Sequence, residues 1–188
     1  MITFNAVSLV LLIPVISAAV LALIPGYRLA SRVNILASLL TFLSSLVFLI
    51  NRPADNLYFL IDDLNIVFIV LNTFVGLTTS VFSASYISHE VETGHLTPAL
   101  LRFYHALFQI MMFGMNLALV ANNVGLMWVA IELATLTTVL MVGIYRTPEA
   151  IEAAWKYFIL GSVGIALALF GTILIYTAAQ PLIGEGMA

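Results

Sequence analysis

Long apolar stretches alternate with short polar connections along the whole chain. Six of these stretches are close to, or longer than, the roughly 20 residues that an α-helix needs to cross a bilayer. We predict six transmembrane helices, placed near 4–24, 32–50, 64–86, 103–121, 124–145 and 148–178. The alternation of apolar and polar positions typical of membrane β-barrel strands is not visible. The pattern therefore predicts an all-α integral membrane protein with one transmembrane domain over residues 1–188.

The composition supports a membrane protein. Hydrophobic residues make up 63% of the chain and charged residues only 8%, whereas soluble domains are about half apolar and about a quarter charged. There is no cysteine, which excludes disulfides and iron–sulfur clusters bound by this chain. We therefore expect no cofactor. The net charge of -3 is spread over the connections, so lipid is an expected partner and nucleic acid is not.

The arginines of the connections predict the orientation in the membrane, because short cytoplasmic connections are enriched in Lys and Arg. The connections after the second and fourth predicted helices contain only Arg52. Those after the first, third and fifth contain Arg28, Arg32, Arg102 and Arg146. We therefore expect a multi-pass membrane protein with its N-terminus on the non-cytoplasmic side.

The sixth predicted helix has a clear starting signal. Thr147 is a residue type that caps helix N-termini through its hydroxyl group. Pro148 suits the first helical position, where no backbone N–H is needed. Glu149 follows at the positive end of the helix dipole.

One carboxylic acid, Glu132, lies inside the fifth predicted helix. It follows Val124 by eight residues, which corresponds to about 12 Å of depth in a hydrocarbon core about 30 Å thick. A charge near the centre costs about 2.5–3.5 kcal/mol on insertion scales, and intramembrane ionisable residues usually serve a function. Glu132 is therefore a candidate proton-holding site. The structural alternative is a protonated carboxyl group that hydrogen-bonds to a neighbouring helix.

Lys156 is the corresponding cation of the sixth predicted helix. It follows Glu152 by four residues, so one interpretation is an ordinary ion pair on the helix surface. The long side chain could also reach the headgroups. The functional interpretation is that Lys156 gains and loses a proton under the influence of a carboxylate partner.

A polar row marks the fourth predicted helix. His105, Gln109 and Asn116 are spaced by four and seven residues, which places them on one helix face. Such a row could hold a file of water between titratable groups, and these three residues are a candidate proton path. Hydrogen bonding between helices is the alternative.

The run GLMWVAIELATLTTVLMVGIYRTPEAIEAAWKYFILGSVGIALALFGT resembles the antiporter-like membrane subunits shared by respiratory complex I, Mrp-type antiporters and group 4 membrane-bound hydrogenases. Within that family, the sequence of this run is most similar to the hydrogenase-4 component F group. The resemblance is clearest over 100–180. It implies that Glu132 of WVAIELATL and Lys156 of AAWKYF belong to a proton-translocating constellation.

The resemblance also implies that the chain is shorter than its relatives. Members of the family have about fourteen helices in two inverted repeats, whereas six are predicted here. The lysine of the seventh helix and the second repeat are absent from the sequence. We therefore expect the N-terminal part of such a subunit, or a split subunit completed by a partner.

Three functions remain open on the sequence. The first is a proton-translocating subunit whose partners are other membrane subunits of a hydrogenase or complex I-like assembly. The second is a membrane anchor without a pumping role. The third is another transporter, either an Mrp-type cation/proton antiporter or an inorganic-carbon uptake subunit.

Overall fold

Helices account for almost all of the described chain. The computed structural model describes residues 6–53, 58–94 and 96–183. Its helices are α1 (Ala6–Leu23), α2 (Tyr27–Ile50), α3 (Asp63–Glu92), α4 (Pro98–Val120), α5 (Val124–Val142) and α6 (Pro148–Ile183). A short 3₁₀ turn, Gly143–Tyr145, follows α5. All six α-helices are long and apolar enough to cross a membrane, which confirms the predicted fold class for the described residues.

Four helices extend beyond their predicted limits: α2 and α4 begin earlier, and α3 and α6 end later. In α2 and α3 the added turns contain polar residues that can be solvated. α2 begins at Tyr27 rather than near residue 32, so Arg28 and Arg32 lie in its first turns and not in the connection. α3 continues to Glu92 rather than ending near residue 86. Buried Ile87 ties this extension to a small apolar cluster with Leu96 and Ile144.

The two Thr–Pro sequences both start helices. The backbone N–H of Ala150 donates to Thr147 Oγ1 over 3.2 Å at the start of α6, which confirms the predicted cap. The N–H of Leu100 donates to Thr97 Oγ1 over 3.4 Å, so α4 begins at Pro98 and not near residue 103. The same signal was present in the sequence before α4, but the apolar pattern alone begins later.

α4 is the central helix of the bundle. It packs against α1, α2, α3 and α5, whereas α6 packs against α5 and the 3₁₀ turn. At one end of the bundle, α1 to α4 enclose an apolar cluster that includes Val10, Phe48, Ile69 and Val120. Two smaller apolar clusters lie towards the other end. The polar face of α4 lies between these ends, and it is buried.

Gly114 allows α4 and α5 to approach closely. A Cβ atom built on Gly114 would lie 3.0 Å from the carbonyl oxygen of Ala130 and 3.1 Å from the backbone nitrogen of Ala134. Because both are backbone atoms, they cannot turn away as a flexible side chain could. Small residues at helix crossings serve this purpose in membranes.

We expect Gly114→Ala to weaken the packing of α4 on α5. Overpacking a tight contact costs about 1–3 kcal/mol, which should lower the unfolding temperature of the detergent-solubilised chain. Gly164→Ala on α6 is the matched control, because nothing lies within 4 Å of its added methyl group. Equal unfolding temperatures for the two variants would contradict the close crossing.

Candidate functional site

The carboxyl group of Glu132 lies on the face of α5 that is directed towards α6. Trp128, Glu132 and Thr135 share that face, because they are spaced by four and three residues. The indole N–H of Trp128 donates to the carbonyl oxygen of Ile165 over 3.2 Å. A Cβ atom on Gly161 would lie 3.2 Å from Thr135 Cγ2. These two contacts place Glu132 opposite the stretch 161–165 of α6.

One oxygen of Glu132 is buried without compensation. The residue is partly buried, and its Oε2 has no hydrogen-bond partner among the described residues. Because no donor or cation contacts this oxygen among the described residues, it loses hydration without a compensating hydrogen bond.

Ser162 of α6 was not singled out by the sequence. Its Oγ is buried and has no hydrogen-bond partner among the residues the structure describes. It falls within the stretch of α6 that faces Glu132. A serine among glycines and small apolar residues is usual at helix crossings, so only the structure distinguishes it.

Lys156 lies on the outer surface of α6. Its ammonium group forms an ion pair with Glu152 one turn earlier, and the two side chains are 69% and 66% exposed. No hydrogen bond or ion pair joins Lys156 to Glu132 within the described part of the chain. Exposed pairs of this kind contribute little to stability, so the pair does not explain by itself why a lysine is placed here.

The register of α5 and α6 separates Lys156 from Glu132 along the bundle. A Cβ atom on Gly143 would lie 3.4 Å from Ala154 Cβ, and Lys156 lies two residues further along α6. Lys156 therefore stands beside about residue 141 of α5. That is about nine residues, or about 13 Å, from the level of Glu132.

The polar row of α4 is buried between α2 and α3. His105, Gln109 and Asn116 are each at most 1% exposed, and they share one face as predicted. Gln109 Nε2 donates to Asn34 Oδ1 over 2.8 Å. Asn116 Oδ1 accepts from Asn72 Nδ2 over 2.8 Å.

The five predicted residues are therefore not brought together into one site. Glu132 and Lys156 lie on α5 and α6, whereas His105, Gln109 and Asn116 face α2 and α3. None of the five lines the groove of about 710 Å³ beside α5, whose lining includes Asn72 of α3, Thr135 and Thr138 of α5 and Tyr157 of α6. The remainder of its lining is mainly apolar.

The six apolar helices and the polar groups buried between them define a polytopic helical membrane protein. Residues 121–182, which contain both Glu132 and Lys156, match the family described as NADH:quinone oxidoreductase/Mrp antiporter, TM. The matched segment comprises α5, the 3₁₀ turn and nearly all of α6.

Individual relatives agree with this match. The chain is 59% identical over 179 residues to the hydrogenase-4 component F homolog of Methylacidiphilum infernorum, covering 95% of this chain and 38% of that protein. It is 32% identical over 130 residues to subunit N of the F(420)H(2) dehydrogenase of Methanosarcina mazei, covering 66% and 25% of the two chains. Over 76 residues it is 38% identical to NADH-quinone oxidoreductase subunit N 2 of Thermodesulfovibrio yellowstonii, covering 40% and 17%.

One solved structure has the same fold. A chain of the membrane-bound sulfane sulfur reductase, an archaeal respiratory membrane complex, superposes with a TM-score of 0.76 at 20% identity, covering 94% of this chain and 38% of that one. These findings confirm the resemblance to antiporter-like membrane subunits of redox complexes. The chain spans well under half the length of the relatives it matches.

Proposed function

We propose that this chain is a proton-translocating, antiporter-like subunit, or the N-terminal portion of one, in a redox-driven membrane complex. The complex would be a hydrogenase-4 or formate hydrogenlyase assembly, or a complex I-like NADH–quinone oxidoreductase. The observation that carries the proposal is Glu132, whose buried Oε2 lacks a hydrogen-bond partner among the described residues. Glu132 also lies within the segment that matches the antiporter family.

In this proposal Glu132 takes up a proton and exchanges it with Lys156. An ionised Glu132 stabilises the protonated lysine, and loss of that negative charge weakens the lysine's hold on its proton. Redox chemistry in other subunits would drive the exchange by changing the charge near the pair. Because about 13 Å separates the two levels, water or a hydroxyl group such as that of Ser162 would carry the proton between them.

The proposal extends to partners and location. The partners would be other membrane subunits of the complex. The chain itself would carry no redox cofactor, and electron transfer would take place elsewhere in the assembly. We place it in the inner membrane of a bacterium or archaeon, with its N-terminus on the non-cytoplasmic side.

Three other roles make different predictions. An Mrp-type antiporter would exchange sodium for protons in vesicles without an electron donor. An inorganic-carbon uptake subunit would support bicarbonate accumulation. A structural anchor would tolerate the loss of the Glu132 charge, and the assembled complex would pump as before.

The first test is a mild-detergent pull-down of the tagged chain from its native membrane, followed by mass spectrometry. We expect hydrogenase or quinone-oxidoreductase subunits to co-purify. The matched control is the same purification from cells that carry the untagged chain. Recovery of the 20.4 kDa chain alone would contradict the proposed membership of a complex.

A further inference from the structure

The buried face of α2 is polar along most of its length. Its hydroxyl and amide residues recur every three or four positions, as the inward face of a helix requires. These residues are Ser31, Asn34, Ser38, Thr41 and Ser45, and each is at most 8% exposed. Some of the hydroxyl groups donate to carbonyl oxygens of α2 itself, such as Thr41 Oγ1 to Ala37 O over 2.9 Å, and the others have polar neighbours on other helices.

Those neighbours come from α4 and α3, and they define a buried seam. Ser31 Oγ lies 3.3 Å from His105 Nε2, and Ser38 Oγ accepts from Gln109 Nε2 over 3.1 Å. Further along, Ser45 Oγ lies 2.8 Å from the hydroxyl group of Thr73. The seam therefore follows α2 for fourteen residues, or about 21 Å.

Three polar atoms of the seam lack a partner in the part of the chain that the structure describes. They are Asn34 Nδ2, His105 Nδ1 and Asn116 Nδ2, which are buried and make no hydrogen bond to any described residue. All three residues are 0% exposed. Buried polar groups are nearly always satisfied, and where the protein does not satisfy them an internal water does so.

Met112 interrupts the polar row of α4 within the seam. It lies between Gln109 and Asn116 on the same face of α4, at spacings of three and four. It is 5% exposed, and a methyl group built on Gly76 of α3 would overlap its thioether. An apolar side chain seated against a glycine at this level separates the polar groups on either side.

We propose that the seam between α2, α3 and α4 binds internal water in two groups, which Met112 keeps apart. The first group would be held by Asn34 and His105, and the second by Asn116. Apolar constrictions of this kind block water by dewetting, so a movement of the flexible methionine would join the two groups. Only the use of this water for proton transfer rests on the proposed function.

The test is water-edited solid-state NMR of the full chain in lipid bilayers, which measures how fast water magnetisation reaches each site. We expect the side-chain amides of Asn34 and Asn116 to respond at a rate close to that of exposed Asn51. The methyl groups of Met112 and of buried Val10 should respond far more slowly. Rates for Asn34 and Asn116 as slow as those of the Val10 methyl groups would overturn the proposal.

A pair of variants tests the division. Met112→Ser should bring water to Gly76, raising the magnetisation transfer to its Hα protons severalfold. Met111→Ser is the control, because Met111 lines the groove rather than the seam. Two results would contradict the role of Met112. One is an unchanged magnetisation transfer to Gly76 in Met112→Ser, and the other is a rapid transfer to Gly76 in the unaltered chain. Because no transport is measured, these results are independent of whether Glu132 carries protons.

Discussion

Replacing Glu132 by Gln is expected to abolish redox-driven proton transport in the assembled complex while leaving assembly intact. Gln has nearly the same shape as Glu but cannot ionise, so it retains the packing and removes the proton. Groups that transfer protons typically contribute about 10²- to 10⁴-fold to the rates of the steps they serve. Proton uptake by vesicles containing the variant should therefore fall at least about tenfold.

The matched control is Glu149→Gln, which removes an exposed carboxylate from the first turn of α6. It should reduce transport little, although the helix loses a favourable charge near its N-terminus. Glu132→Asp, which can ionise from a shorter side chain, should retain part of the transport. Proton uptake at the unaltered level in a fully assembled Glu132→Gln complex would show that Glu132 is a structural carboxyl group.

Replacing Lys156 by Arg is expected to impair proton transport almost as strongly as replacing it by Met. Arginine keeps the positive charge and can still pair with Glu152, but its guanidinium group does not release a proton in proteins. The comparison therefore separates the charge of Lys156 from its ability to exchange a proton. The measurement is the ratio of protons moved to electrons transferred in vesicles that contain the assembled complex.

Glu152→Gln controls for the ion pair itself. Helical pairs at this spacing and exposure contribute about 0.3–0.5 kcal/mol, so the variant should remain assembled and continue to pump. Transport at the unaltered level in Lys156→Arg would indicate that this lysine only supplies charge at the membrane surface.

The helices could be predicted from the sequence because apolar residues must continue for the full thickness of the bilayer. Their ends were harder to predict, since hydropathy no longer distinguishes a helix from a connection once the chain reaches water. The extension of α3 to Glu92 illustrates this limit. The Thr–Pro cap of α4 was readable from local chemistry, whereas the first turn of α2 has no side-chain capping bond at Gly26.

The single charged residues in apolar segments could also be predicted from the sequence, and so could the polar row on α4. The residues of other helices that contact this row could not be predicted. A helix with Ser, Asn and Thr at regular spacing is equally compatible with close packing against lipid-facing neighbours. Contacts such as Gln109 with Asn34 depend on which helices are adjacent, and spacing along one helix contains no information about that.

The length of α6 has a consequence for the membrane itself. Its 36 residues correspond to about 54 Å, whereas the hydrocarbon core is about 30 Å thick. Even a tilt of about 40°, at the upper end of the usual range, leaves a projected length of about 41 Å. Part of this helix must therefore lie outside the hydrocarbon.

The aromatic residues of α6 indicate which part that is. Trp155 and Tyr176 are 21 residues apart, or about 32 Å, which matches the spacing of the two interfaces where such residues anchor. Glu149, Glu152 and Lys156 then stand at one water-facing boundary, and Glu132 faces the hydrophobic interior. A proton passed between Lys156 and Glu132 would thus cross from the aqueous boundary into the membrane.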